Sequence, residues 1–156
     1  MKTLIIYYSR TGNTKKIASE IAISLSADIE EIIEPKKRSG IIGWLKSGYD
    51  ATLRKITPIN SIKNNLSDYD LVIIGTPVWS FNMASPIRSF LTKHYKQFKR
   101  VAFFTTMGGS GDKRTFLEMQ NLCRQTPICT AAFLEKKIKK GNYKNELTKF
   151  VTSLIK

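Results

Sequence analysis

Short apolar runs alternate with amphipathic stretches along the whole chain. Leu4-Ile5-Ile6-Tyr7-Tyr8 is a continuous apolar run between polar Lys2-Thr3 and Ser9-Arg10. A run of this length suits a strand buried on both faces. Ile17, Ala18, Ile21, Ala22 and Leu25 then share one helical face. Residues 27–34 alternate weakly and predict a second, more exposed strand. Leu71-Val72-Ile73-Ile74, ended by Gly75, predicts a third, buried strand. Ser85-Pro86 opens a helix striped by Ile87, Phe90, Leu91, Tyr95 and Phe98, with Ser85 as N-cap and Pro86 as first helical residue. A fourth strand falls at 101–104, followed by a helix through Phe116, Leu117, Gln120 and Cys123. The fifth strand covers 128–133, and the last helix carries Leu147, Phe150, Val151, Leu154 and Ile155.

Strands alternating with helices imply βαβ units and a parallel sheet covered on both faces. In such sheets a ligand sits outside the carboxyl ends of the strands, where the strand order switches. The loops after strands one, three and four are therefore the ones that matter. The crossover at 35–69 is the least regular part. Within it, 40–55 predicts one helix, with Ile41, Trp44, Leu45 and Tyr49 clustered and Lys36-Lys37-Arg38 just before it. The expected arrangement packs that apolar cluster on the sheet and leaves the basic approach in water. The alternative is a basic, aromatic helix resting on a membrane surface or a partner.

Composition narrows the class. At 156 residues, with 42% hydrophobic and 24% charged, the chain is ordinary globular material and is expected to form a single domain over 1–156. Its longest apolar runs are far short of the roughly 20 residues a bilayer span needs. Two cysteines are too few for a disulfide scaffold, and Cys123 and Cys129 are expected to be packed thiols. No leader pattern follows Met1, so a cytoplasmic location is expected. The 26 Lys and Arg against 12 Asp and Glu give a net charge of +14. That balance favours anionic partners.

The loop after the first strand reads Ser9-Arg10-Thr11-Gly12-Asn13-Thr14 and leads straight into a helix. Hydroxyls, an amide and a glycine stand where backbone N–H groups are unpaired, which suits a phosphate. Neither a nucleotide-triphosphate P-loop nor a Gly-x-Gly-x-x-Gly dinucleotide fingerprint is present. The loop after the third strand, Thr76-Pro77-Val78-Trp79-Ser80-Phe81, brings two aromatic residues to the ligand edge, able to flank a flat ligand or to fold back on the core. The loop after the fourth, Thr106-Met107-Gly108-Gly109-Ser110-Gly111-Asp112, is glycine-rich and allows close backbone approach. The lone histidine, His94, is expected on the surface of its helix, and no metal-ligand cluster or paired carboxylates stand at these loops.

On these three loops the sequence resembles the flavodoxin-like family, close to short-chain flavodoxins. Residues 9–14 match the family's Ser/Thr-x-Thr-Gly-Asn-Thr phosphate motif; Gly75-Thr76-Pro77-Val78-Trp79 and Thr106-Met107-Gly108-Gly109 match its second and third loops. The resemblance implies an α/β fold with a doubly wound five-stranded parallel sheet of order 2-1-3-4-5. It implies FMN as cofactor, with Ser9, Arg10, Thr11, Gly12, Asn13 and Thr14 at the phosphate. Thr76, Pro77, Val78, Trp79, Ser80 and Phe81 would bracket the ring with Thr106, Met107, Gly108 and Gly109, and Trp79 or Phe81 would stack on it. It further implies a carrier of electrons between redox proteins, needing no catalytic acid, base or nucleophile. Flavodoxins that carry low-potential electrons are usually acidic, so the basic charge here points to partners with acidic docking faces. The same charge is expected to raise the flavin potential by some tens of millivolts, a charge at ~10 Å contributing on the order of 0.4 kcal/mol in water. The alternatives are a flavin oxidoreductase acting on a quinone or porphyrin, and a basic module that has lost the flavin and binds nucleic acid. The intact first loop disfavours nucleic acid as the partner, and peripheral membrane contact fits the basic crossover.

Overall fold

Alternation within each central strand sends successive side chains to opposite faces, and the chain builds a core on each. In the computed structural model, which describes residues 1–35 and 40–155, the parallel strands are β1 (Thr3–Tyr7), β2 (Asp28–Glu31), β3 (Leu71–Trp79), β5 (Val101–Met107) and β6 (Thr130–Leu134). A two-residue strand β4 (Asn82–Met83) folds back antiparallel on the end of β3. The helices are α1 (Asn13–Leu25), α2 (Gly40–Thr52), α3 (Ser85–His94), α4 (Asp112–Cys123), α5 (Glu135–Lys140) and α6 (Lys144–Ile155). The sheet order is β2-β1-β3-β5-β6, with every neighbouring pair parallel. Leaving the small hairpin strand aside, this is the expected 2-1-3-4-5 order.

Leu4, Ile6, Val72, Ile74 and Phe103 face one core, closed by Ile87, Phe90 and Leu91 of α3 and by Met119 and Cys123 of α4. Ile5, Ile73, Ala102 and Phe104 face the other, closed by Ile17, Ala18 and Ile21 of α1 and by Leu147 and Phe150 of α6. Both cysteines are free. Burial pushes the Cys123 thiol up to about 12 and that of Cys129 to about 11, so both behave as packed apolar groups.

Several expectations need correcting. The helix opened by Ser85-Pro86 does not run to Phe98: α3 ends at His94, a 3-10 turn covers Tyr95–Gln97, and Phe98 is extended. The third strand does not stop at Gly75, because Thr76 and Pro77 still pair with Thr105 and Thr106 of β5 before the chain turns back. Ser85 does not cap α3: Ala84 does, and Ser85-Pro86 are its first two residues. His94 is half-buried, its ring packed on Phe90 at 5.2 Å, and burial holds its imidazole below the usual range. The largest difference lies in α2. Its buried face is made of small and polar residues, Gly43, Ser47, Asp50 and Ala51, while Ile41, Ile42, Leu45 and Tyr49 stand in solvent. Lys36-Lys37-Arg38 and the Trp44 side chain, part of the expected arrangement there, lie outside the described residues.

Two contacts set the positions of the loops. At Gly75 a Cβ would stand 2.1 Å from Cζ of Phe104, the residue opposite it in β5. The phenyl ring fills that place and meets Phe133 and Phe150 edge-on, at 6.3 and 6.5 Å between centroids. At the sheet's carboxyl edge the hydroxyls of Thr14 and Thr106 are 2.7 Å apart and fully buried, tying the start of α1 to the end of β5.

Gly75→Ala is expected to destabilise the protein by about 2–3 kcal/mol in chemical denaturation, since the added methyl overpacks a rigid sheet. Pairing it with Phe104→Leu should recover part of that loss, and additive effects would show that the two residues do not compete for space. Thr106→Val should cost about 1–3 kcal/mol by stranding the Thr14 hydroxyl, and adding Thr14→Val should cost less than the sum. A Thr106→Val stability equal to wild type would mean that the hydroxyl pair holds nothing.

Candidate functional site

The carboxyl ends of β1, β3 and β5 open on a common crevice. Helix α1 leaves β1 through Gly12, whose φ of +93° is a left-handed conformation that glycine takes without strain. No side chain caps this helix, and its first turn contains no acidic residue. Its N-terminal amides and dipole therefore face the crevice uncompensated. Ser9 Oγ accepts the Gly12 N–H at 3.1 Å and fixes the turn. Arg10 places a buried Nε there without a hydrogen-bond partner. Bare helix amides, an unpartnered guanidinium atom and no nearby carboxylate in the turn make a setting that fits a phosphate group.

A cavity of about 220 Å³ brings the three loops together: Arg10, Thr11 and Thr14 from the first, Pro77, Val78 and Trp79 from the second, and Gly108 from the third. Gly108 and Gly109 are exposed, and a Cβ on either would meet nothing within 4 Å, so the backbone at this lip stands open to a ligand. The remaining expected residues are placed differently. Thr76 is wholly buried, and its Oγ accepts the Ala84 N–H at 3.0 Å, so its side chain holds the hairpin. Thr106 and Met107 are buried too, Thr106 against Thr14. Trp79 is 9% exposed and packs edge-to-face on Tyr8 at 5.5 Å, leaving one edge on the cavity wall. Phe81 is the solvent-facing aromatic, at 55%.

Ser80 and Phe81 form a two-residue turn between β3 and β4, with φ of +46° and +61°. Left-handed backbone at two successive non-glycine residues costs about 1–2 kcal/mol each. Two glycines clamp the turn. A Cβ at Gly48 of α2 would lie 3.2 Å from Ser80 Oγ, and one at Gly111 would lie 3.0 Å from Phe81 Cα and 2.9 Å from Val78 Cγ1. The turn is thus held from both sides, and positive φ at both positions matches the twist of the two strands it joins.

Two features escaped the sequence reading. Glu135, the first residue after β6, reaches the same cavity; its place at the carboxyl end of a strand was the available signal. On the far side of Trp79 a second cavity of about 410 Å³ lies between α2 and the hairpin, lined by Leu45, Gly48, Tyr49 and Thr52 with Val78, Trp79 and Ser80. Val78 and Trp79 are the wall between the two. No pattern marked it, because it depends on how α2 docks. Among the described residues no group of metal-ligating side chains occurs, and no helix is long and apolar enough to cross a membrane.

Comparison with known proteins agrees with this fold. A family model described as Flavodoxin matches residues 2–154. The crystal structure of a flavoprotein in complex with FMN from Lactobacillus acidophilus NCFM superposes with a TM-score of 0.75, at 27% identity over 89% of this chain and 97% of that one. Two-electron reduced Megasphaera elsdenii flavodoxin shares the fold at a TM-score of 0.56 and 20% identity, over 93% and 96% of the two chains. NAD(P)H dehydrogenase (quinone) 3 of Rhizobium meliloti (strain 1021) is 33% identical over 99 residues, 58% of this chain; the matched region spans 42% of that relative's length. With its 2-1-3-4-5 parallel order, its uncapped phosphate-type loop and a family match over nearly its whole length, the chain belongs to the flavodoxin family.

Proposed function

We propose that this protein binds FMN in the three-loop crevice and passes electrons between redox partners. The carrying observation is the start of α1: uncapped, free of acidic residues, opened by a left-handed glycine and flanked by the unpartnered Arg10 Nε. Ser9, Arg10, Thr11, Gly12, Asn13 and Thr14 hold the phosphate in this reading. Pro77, Val78 and Trp79 on one side and Gly108 and Gly109 on the other border the ring. Thr76, Thr106 and Met107 act beneath them by fixing the loops, and Ser80 and Phe81 form the outer rim. FMN, when bound, supplies the electron transfer; the chain supplies binding, orientation and electrostatics. The net charge of +14 would steer acidic partners towards it.

A second reading is an FMN-dependent oxidoreductase reducing a small flat acceptor such as a quinone. The cavity behind Val78 and Trp79 favours it, as does the likeness to a quinone dehydrogenase.

Titration of apo-protein with FMN, followed by quenching of flavin fluorescence, is expected to give one-to-one binding. Riboflavin, which lacks the phosphate, should bind at least about 100-fold more weakly, and Gly12→Ala should weaken FMN about tenfold with little effect on riboflavin, by straining the turn about 1–2 kcal/mol. Equal affinity for FMN and riboflavin would remove the phosphate assignment. In reductive titration of the FMN-loaded protein a carrier should take up electrons in two separate one-electron steps. One unresolved two-electron step, with turnover on NADH and a soluble quinone, would establish the enzyme instead.

A further inference from the structure

The stripe Ile42, Leu45 and Tyr49 follows the three-and-four spacing of one face of α2, on the side opposite its buried Gly43, Ser47 and Ala51, and Leu53, whose N–H bonds the Tyr49 carbonyl just past the helix end, extends it. Ile41 and Ile42 are 79% and 82% exposed, more than almost any other large apolar residue in the molecule. Cations border the stripe. Lys46 and Lys55 are exposed, and Lys55 Nζ lies 4.6 Å from the centre of the Tyr49 ring. The helix contains one carboxylate, Asp50, and it is buried on the inner face. The outer face thus presents aliphatic side chains and positive charge, and no exposed acid. Just upstream the chain adds Lys36-Lys37-Arg38.

We propose that α2 docks this protein on an anionic lipid surface, with Ile41, Ile42, Leu45 and Leu53 entering the boundary between headgroups and acyl chains and Lys46 and Lys55 against the phosphates. The combination of an apolar face and a cationic border without acids is that of helices lying in the membrane interface. Charge selects the occupant. A second copy would bring lysines against lysines, and each copy carries +14. A folded protein partner of standard size needs about 800 Å² of complementary contact on each side; a bilayer needs no complementary surface and accepts whatever protrudes. The cavity between α2 and the hairpin shares Leu45 and Tyr49 with this face. Docking therefore brings that cavity to the lipid, where, on the oxidoreductase reading above, a lipid-soluble acceptor would enter.

The test is co-sedimentation of the full chain, loaded with FMN or free of it, with vesicles of mixed phosphatidylglycerol and phosphatidylcholine and with phosphatidylcholine alone. Binding to the mixed vesicles only is expected. The doubly substituted Ile41→Asp, Ile42→Asp protein should lose it about 100-fold or more, and Lys46→Gln with Lys55→Gln should weaken it with a smaller salt dependence. Both isoleucines are exposed, so the fold should survive, as circular dichroism would report. Failure to sediment with the mixed vesicles overturns the proposal. So does binding untouched by the aspartates, which would be plain adsorption of a basic protein. Light scattering that shows self-association abolished by the same aspartates would assign the face to a second copy, and preferential, aspartate-sensitive binding to polyglutamate would assign it to an acidic protein; either overturns it. FMN titration on the same samples keeps the two readings apart: vesicle binding without flavin binding leaves the docking standing and removes the flavin assignment, and the converse does the opposite.

Discussion

The ring of Phe104 occupies the place where a side chain at Gly75 would stand, in the middle of the sheet. Much of the molecule follows from that exchange. Turned across β3, the ring joins the core under α1 and α6 and anchors Phe133 and Phe150. The α1 side of the sheet is thereby packed by Ile17, Ala18 and Ile21, which fixes where α1 begins. Its first turn then meets β5 through the Thr14–Thr106 hydroxyl pair. The uncapped amides that open onto the crevice are held by these contacts behind and below them and by the Ser9–Gly12 bond within the loop.

The same logic explains the hairpin. A turn with two non-glycine residues in left-handed backbone is not stable by itself. It is tolerated because Gly48 and Gly111 let α2 and the α4 entry press against it, and because Thr76 takes the Ala84 N–H beneath it. Trp79 and Val78 form a partition between the two cavities, with Tyr8 packed edge-on against the indole. A partition with a cavity on each side is a different object from a mobile aromatic lid.

The strands and the turn from the first strand into α1 were legible because their signals are local. A continuous apolar run such as 71–74 can be buried only on both faces, and a glycine just before an amphipathic stretch marks the entry of a helix. The extension of β3 past Gly75 was not legible, since Pro77 and Gly75 read as breakers and only the pairing with β5 overrides them. Helix α2 misled for a different reason. Hydrophobic periodicity assumes that the larger apolar residues face inward. Here the helix buries Gly43, Ser47, Asp50 and Ala51, with Gly48 close against Ser80 of the hairpin, and the isoleucines are left on the outer side. His94 failed in the same way on a smaller scale, because Phe90 one turn earlier draws its ring inward.

Charge acts on this molecule at two ranges that should not be confused. The positive end of α1 is confined to its first turn, and its effect falls away within that distance. On the proposed reading it acts on the phosphate, at a range too short for salt to screen much. The excess of 26 basic over 12 acidic residues is a surface field, screened over about 8–10 Å at ordinary ionic strength. Such a field raises the rate of encounter with an acidic surface and contributes little to holding it, because exposed ion pairs are individually weak. Something short-ranged must retain what the field attracts. On this protein the exposed group with that property is the aliphatic stripe of α2, which borders the Trp79 partition. The long-range charge and the short-range apolar contact therefore meet at one edge of the proposed cofactor site, and the proposed docking rests on their adjacency.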